Sequence, residues 1–513
     1  MINLSSFIRF HALQTPTKTA IVFGDSRISF SEFHEKILAT AGLMADAGIR
    51  AGDVVALWMK NSPAFLDVAF AASHIGAVFL PVNFRLSLDE LRYILADSGA
   101  KMLFMEEDAA RDEDFGLTTI MLNGPMCSDI RIATGTRTAP AAAFRNMGDL
   151  LRLMYTSGTT DRPKGVMHTY ENFYVKCAEH VVVFGLTAND KLLVAGPLYH
   201  VGAFDLPGIA VLWLGGLMCI LRDADAAAIL VSIERERLTC GALVPFLTGT
   251  LLSHAERHQY DVSSVRWIVG GGERTPAYRV RDFHAYFTNA RYIDCYGLTE
   301  TCSGDAMMVP GYELSKIGSV GRATPHVEIE IRDDVGKLLP PKEQGEICVR
   351  GPKVTPGYWN DPVKTAASFY GDWLRTGDIG YFDEDGFLFL TDRKKDIIIS
   401  GGENIASSEV ERVIYELPAI QEAVVIGLPD PKWGERPIAV VILKPGQTID
   451  FPTLVNHCRR HLAAFKVPKE LLVVTEFPRT PSNKILKRQL RAELTASPNR
   501  SVAVAPLDNA GKS

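Results

Sequence analysis

Residues 54–106 read VVALWMKNSPAFLDVAFAASHIGAVFLPVNFRLSLDELRYILADSGAKMLFME, and this stretch decides the fold class. Val54 to Met59, Ala77 to Pro81 and Lys101 to Glu106 are short, nearly continuous apolar runs, the texture of strands covered on both faces. Helical patterns separate them. Pro63 opens one helix at its first position, and Ser87-Leu88-Asp89-Glu90 opens the next as a capping box, with Ser87 as N-cap. This alternation predicts an α/β protein built on a mostly parallel sheet. Working outward, further strands are predicted at Leu151 to Tyr155, Lys191 to Ala195, Arg266 to Val269 and Arg291 to Cys295, each running into a polar or glycine-rich loop. Ligands in such sheets gather at the carboxyl ends of strands. Nearer the start, Leu4, Phe7, Ile8 and Leu13 predict a short amphipathic helix with those four side chains inward, and Leu206 to Leu221 predicts a buried core helix.

From about Ser319 the texture changes. Val327 to Arg332 and Glu346 to Arg350 alternate strictly, which predicts half-exposed antiparallel strands in a β-rich subdomain over about 319–391. After Asp392 follow a strand (Ile397 to Ser400), a helix with Val410, Val413, Ile414 and Leu417 on one face, strands near Val424 and Val440, another helix, and a strand at Leu471 to Val474. The expectation is a large N-terminal domain, 1–391, of mixed and parallel sheets with helices, and a small α+β C-terminal domain, 392–495. Residues 496–513, rich in Ser, Pro, Asn and Ala, are expected to be a disordered tail.

Hydrophobic residues at 47% and charged residues at 22% of 513 describe an ordinary globular chain. The net charge of −6 argues against a general nucleic-acid or anionic-membrane surface. Eight cysteines without a CxxC pair point away from zinc and redox motifs and toward a reducing cytoplasm. Met1 to Gln14 lacks the parts of a secretory signal, and Leu206 to Leu221 falls short of the roughly 20 residues that span a bilayer, so no integral membrane segment is expected.

Chemistry enters with Tyr155-Thr156-Ser157-Gly158-Thr159-Thr160-Asp161-Arg162-Pro163-Lys164-Gly165. Backbone N–H groups, hydroxyls and one ammonium can together wrap a polyphosphate, although the Gly-Lys-Ser/Thr order of a Walker loop is missing. This segment resembles the phosphate loop of the adenylate-forming superfamily, which includes acyl-CoA synthetases, luciferases and peptide-synthetase adenylation domains. The resemblance, closest to acyl-CoA and fatty-acid-CoA ligases, recurs in family order to about Arg491. Pro197-Leu198-Tyr199-His200 is similar to the segment whose His or aromatic residue gates the carboxylate pocket, and Gly270-Gly271-Gly272-Glu273 to the adenine-side loop. Tyr296-Gly297-Leu298-Thr299-Glu300 is similar to the segment whose Thr meets phosphate and whose Glu meets magnesium. Asp378 resembles the ribose-binding carboxylate, Arg393-Lys394-Lys395-Asp396 the interdomain hinge, and Pro481-Ser482-Asn483-Lys484 the element whose lysine contacts the reacting carboxylate. Gly401-Gly402 and Trp433-Gly434 resemble the lining of a narrow pantetheine channel.

The resemblance therefore implies catalytic roles for Lys484, Thr159, Glu300 and His200. It implies binding of ATP or CoA by Thr156, Ser157, Gly158, Thr160, Lys164, Gly272, Glu273, Tyr296, Gly297, Thr299, Asp378, Arg393, Lys395, Gly401, Gly402 and Trp433. Magnesium would sit at Glu300. These residue types make physical sense, because joining a carboxylate to ATP sets anion against anion and needs cations and oriented N–H donors at the α-phosphate.

Asp161 and Asn483 stand where the family usually has glycine, and Asp and Asn tolerate the left-handed conformation best among other residues. Glu273-Arg274 likewise departs from the small residue and proline common there. Of the fates open to an acyl-adenylate, transfer to CoA is favoured over transfer to a carrier-protein thiol or light-producing oxidation. No carrier domain is apparent after Lys484, and no long insertion lies between Gly351 and Gly357. A catalytically impaired ATP-binding homologue is the alternative of another class. Tyr199, Val201, Phe204 and Cys302 to Asp305 are expected to border the acyl pocket, a mixture suited to a cyclic, aromatic or medium-chain acid. Expected partners are ATP with Mg2+, CoA and a carboxylic acid, with a homodimer left open.

Overall fold

The computed structural model describes residues 2–106, 113–123, 139–156, 163–272, 275–393, 396–400, 403–479 and 485–496. Two compact units divide the chain, Met1–Thr275 with Arg279–Ile329 and Val349–Leu374, and Pro276–Tyr278 with Glu330–Cys348 and Arg375–Ser513. The expected boundary at 391/392 falls inside the last segment of the second unit.

In the first unit, Val54–Trp58, Val78–Pro81 and Ala100–Glu106 are parallel neighbours in a six-stranded sheet. Thr118–Leu122 extends it in parallel at one edge, and the antiparallel hairpin Leu150–Thr156/Lys164–Thr169 at the other. Helix Pro63–His74 is buried over its whole length, which explains why its sequence shows no polar stripe. Helix Leu88–Ser98 carries the expected capping box between Ser87 and Glu90. A nine-stranded sheet follows, in which Lys191–Val194, Cys240–Ala242, Trp267–Gly271 and Arg291–Tyr296 run side by side and parallel to one another. Parallel pairing brings the carboxyl ends of those strands to one edge, and the loops after 194, 271 and 296 are the ones singled out above.

Three expectations are corrected. Helix Ser5–Gln14 buries Phe7 and Ile8, but Leu13 is 66% exposed. The inward stripe is 4, 7, 8, 11, at helical spacing, so His11 takes the place expected for Leu13 and its Nε2 meets the Trp213 carbonyl at 2.8 Å. Leu206 to Leu221 is not one helix: Ile209–Trp213 ends before Gly215, whose φ of +82° turns the chain into strand Leu217–Ile220. Glu346 to Val349 are buried rather than half exposed, and Glu346 is ion-paired to Arg375 at 2.9 Å.

In the second unit, Ile420–Asp430 and Gly434–Leu443 form a long antiparallel ribbon joined in parallel by Glu470–Val473. Alternate side chains go to opposite faces. Val425, Ala439 and Val441 meet Val410, Val413 and Ile414 of helix Ser407–Ile414 and Leu454 of helix Phe451–His461. Val424, Ile426 and Val440 meet Leu490 of helix Lys487–Ala496. No helix among the described residues is long and apolar enough to cross a membrane.

Candidate active site

The first unit supplies the Leu150–Thr156/Lys164–Thr169 hairpin and the Tyr296–Glu300 segment. Strand pairing sets Thr156 opposite Lys164 and Tyr155 opposite Gly165 in an antiparallel hairpin. Ser157, Gly158, Thr159, Thr160 and Asp161 lie outside the described residues. Burial, then the neighbouring Lys364, pulls the Lys164 ammonium below its ordinary range, while Asp361 and Glu300 oppose the shift.

Strand Arg291–Tyr296 ends at Gly297, where no side chain fits, since a Cβ would lie 2.3 Å from the Gly304 nitrogen. Thr299–Thr301 then forms a single 3-10 turn. Cys302 and Ser303 follow at φ +54° and +67°, a left-handed pair costing about 1–3 kcal/mol per residue that surrounding contacts must hold. The Asp305 amide donates to the Tyr296 carbonyl at 2.7 Å, and Thr301 Oγ1 donates to Asp305 Oδ2 at 2.5 Å.

Residues 355–359 staple this turn to the hairpin. The Thr355 amide donates to the Glu300 carbonyl at 2.7 Å, and Tyr358 Oη donates to Glu300 Oε1 at 2.9 Å. The Trp359 amide donates to the Gly165 carbonyl, and Thr355 Oγ1 to the Met167 carbonyl at 2.6 Å. Glu300 stays half-buried, with its carboxylate anchored at one oxygen. Magnesium is a hard cation satisfied by one or two carboxylates plus phosphates and water, so Glu300 with nucleotide phosphates fits it without further protein ligands. The group of three metal-capable side chains among the described residues is Glu416, His457 and His461, which does not include Glu300.

His200 caps the short helix Val201–Phe204; its Nδ1 accepts from the Gly202 amide at 3.1 Å, so the neutral ring carries its proton on Nε2. Tyr199 is buried edge-on to Phe84, ring centroids 5.9 Å apart, and burial pushes its phenol up to about 12. Asn61 holds this segment from the other sheet, bonding the Gly196 and Leu221 carbonyls and the Leu198 amide at 2.8–3.0 Å. In the Gly270–Glu273 segment, Gly270 has no room for a Cβ beside the Tyr292 hydroxyl, and Gly272 sits exposed at φ +86°. Glu273 lies outside the described residues.

Sequence reasoning missed a charged cluster beneath these segments. Arg152, Lys176, Lys353, Glu179, Asp205 and Asp305 are all fully or nearly fully buried. Arg152 forks onto both Asp205 oxygens; Lys353 bonds Glu179 Oε1 at 2.7 Å and lies 3.4 Å from Asp305 Oδ1. The available signal was Arg152 itself, a charge inside the otherwise apolar run Leu150 to Tyr155. Tyr358 and Asn61 carried no comparable signal.

The second unit holds the remaining segments. Asp378 is buried, opposite Arg393 in the strand pairing, with its amide donating to Thr376 Oγ1 at 3.1 Å. Strand Ile398–Ser400 places Ser400 beside Gly434, the residue after Trp433. Trp433 is 47% exposed, with Lys432 Nζ over its ring at 4.6 Å. Lys395, Gly401, Gly402 and Lys484 lie outside the described residues.

The family model for AMP-binding enzymes matches residues 8–359, and that for the AMP-binding enzyme C-terminal domain matches 409–484. The chain is 35% identical to a feruloyl-CoA synthase of Amycolatopsis sp over 495 residues, 95% of this chain and 98% of that protein. It is 32% identical to a long-chain-fatty-acid–CoA ligase of Mycobacterium tuberculosis over 507 residues, 97% and 99% of the two chains. Its fold matches o-succinylbenzoate CoA synthetase from Bacillus subtilis in complex with the acyl-adenylate intermediate, at a TM-score of 0.85 and 30% identity, covering 98% and 99% of the two chains. The same enzyme has been solved with ATP and magnesium, matching at a TM-score of 0.83 and 31% identity over 94% of this chain and 98% of that one. The chain belongs to the AMP-binding enzyme family of the adenylate-forming superfamily, as an AMP-forming acyl-CoA synthetase.

Proposed function

We propose that this enzyme activates an aromatic or cyclic carboxylic acid with Mg2+ and ATP, releases pyrophosphate, and passes the acyl group from AMP to the CoA thiol. The observation that carries the chemistry is the 355–359 staple, which fixes the Glu300 carboxylate to the strand that begins at Lys164. A metal carboxylate and a lysine-bearing hydroxyl loop are what a nucleotide triphosphate needs on its phosphates. Magnesium bound there supplies charge neutralisation at the phosphates. Thr156, Lys164 and the hairpin tip hold the phosphates, Asp378 accepts from the ribose hydroxyls, and His200 borders the incoming carboxylate. Lys484 brings a cation to the reacting oxygens in the first half-reaction and withdraws for the second, by motion about Lys395. Gly401, Gly402 and Trp433 line the pantetheine approach.

The acid class is supported by buried Tyr199 standing edge-on to Phe84 beside His200, a wall suited to a flat ring. The seven described cysteines are all buried and free, in keeping with a reducing, cytoplasmic location. A panel of aromatic, cyclic, medium-chain and long-chain acids, scored for pyrophosphate release with and without CoA, tests the assignment. Strongest turnover on linear acids would refute the acid class, and release indifferent to any acid would refute the activity.

A further inference from the structure

We infer that Arg152 and His168 are positioning residues of the adenylation half-reaction, forming a buried relay that sets the Thr299–Glu300 turn against the phosphate hairpin. This rests on the roles proposed above for Thr299 and Glu300. Arg152 lies on strand Leu150–Thr156, four positions before Thr156, and faces His168 across the hairpin. Both side chains are completely buried. Arg152 Nε donates to His168 Nδ1 at 2.8 Å, so the imidazole proton resides on Nε2, and that N–H donates to the Thr299 carbonyl at 2.6 Å. The guanidinium's other two arms donate to the two carboxylate oxygens of Asp205. Every donor in the series points one way, from Arg152 through the imidazole to the main chain of the magnesium-binding turn.

The relay reaches three of the site's segments in this unit. Arg152 and His168 are the two strands of the hairpin, Thr299 belongs to the turn, and Asp205 ends the segment opened by His200. Helix Tyr170–Phe184 secures the far end, with Lys176 Nζ and His180 Nδ1 meeting the Asp205 carbonyl at 3.1 and 3.0 Å. Packing alone does not require this. Leu151 and Leu153 flank Arg152, and an apolar residue at 152 would avoid the desolvation of a buried ion pair, which often outweighs its attraction. What the pair adds is direction: a fixed fork that fixes one tautomer, and through it one carbonyl.

The experiment compares His168→Leu, His168→Gln and His168→Asn in the full-length enzyme. Glutamine can still accept from Arg152 and donate to Thr299; leucine can do neither, and asparagine is too short to reach both. A turn displaced by about 1 Å costs on the order of 100-fold in a positioned reaction. The expected result is a loss of about that size in kcat for carboxylate-dependent pyrophosphate release by His168→Leu, with KM for ATP within about threefold. Thioester formation from supplied acyl-adenylate should fall by much less, and His168→Gln should recover at least tenfold over leucine. Asparagine should lie between them, and the glutamine–asparagine contrast decides the matter if the leucine variant does not fold. Equal activity of the glutamine and asparagine variants, or equal loss in both half-reactions, would overturn the relay. Wild-type enzyme lacking acid-dependent pyrophosphate release would instead refute the roles of Thr299 and Glu300, and the relay with them.

Discussion

Tyr358→Phe removes one hydroxyl and leaves the ring in place. In the structure that hydroxyl donates to Glu300 Oε1 at 2.9 Å, while the Tyr358 amide keeps a separate bond to Thr365 Oγ1 at 2.9 Å, so the backbone has no reason to move. Burial, and then Glu300, pushes the phenol above its ordinary range, so it stays a donor throughout the working pH range. A hydrogen bond to a charged group is worth about 1.5–3 kcal/mol, or roughly 10- to 150-fold. Because both residues are only half-buried, the lower part of that range applies, about 10- to 30-fold. The loss should appear in acid-dependent pyrophosphate release as a raised magnesium requirement, because the phenol fixes the carboxylate that would hold the metal. Magnesium titrations of Tyr358→Phe, Glu300→Gln and the double variant give the check. Once Glu300 is gone, removing the hydroxyl should cost little more. Wild-type magnesium dependence in Tyr358→Phe, or strictly additive losses, would refute the claim that Tyr358 acts through Glu300.

Other expectations follow from single contacts. Gly297→Ala places a methyl 2.3 Å from the Gly304 nitrogen and should cost adenylation at least tenfold while CoA transfer from supplied acyl-adenylate is largely kept, as parallel assays of the two steps would show. Asp378→Ala should raise KM for ATP without changing the order of preferred acids, since the ribose is held alike in substrate and transition state. Buried beside Arg152, His168 is lowered to about 3, against 6.5 in the unfolded chain, so below pH 6.5 the unfolded state binds the extra proton. Its contribution to stability is complete above pH 6.5 and declines as the pH falls toward 3, with a slope of up to about 1.4 kcal/mol per pH unit. Urea midpoints at pH 7 and 5 should therefore differ less in His168→Gln than in the wild type.

The fold was legible where one physical rule governed a segment. Apolar runs near 54, 78 and 101 became parallel strands because burial on both faces leaves no alternation to misread, and Ser87 and Glu90 formed their cap because its bonds are local. Leu13 and the 206–221 run failed for a shared reason: His11 and Gly215, which settle both, meet only in three dimensions, where a Cβ on Gly215 would touch the His11 ring at 2.7 Å. The candidate site was legible as ordered motifs, which put Gly297, Glu300 and His200 in the segments that follow strands Arg291–Tyr296 and Lys191–Val194. Its supports were not, because Tyr358, Asn61 and Asp205 reach their partners across 58, 135 and 53 residues. No local pattern encodes such distances.

In the proposed two-step reaction one lysine, Lys484, serves the first step only. Lys484→Ala measures it most directly, with acid-dependent pyrophosphate release and CoA thioester formation from presynthesised acyl-adenylate followed on the same enzyme preparation. A cation opposite the reacting carboxylate is needed while two anions approach and not once the adenylate exists. The expected result is loss of the first activity by a factor of about 100 or more, with the second retained within several-fold. Equal loss of both, or retention of both, would contradict it.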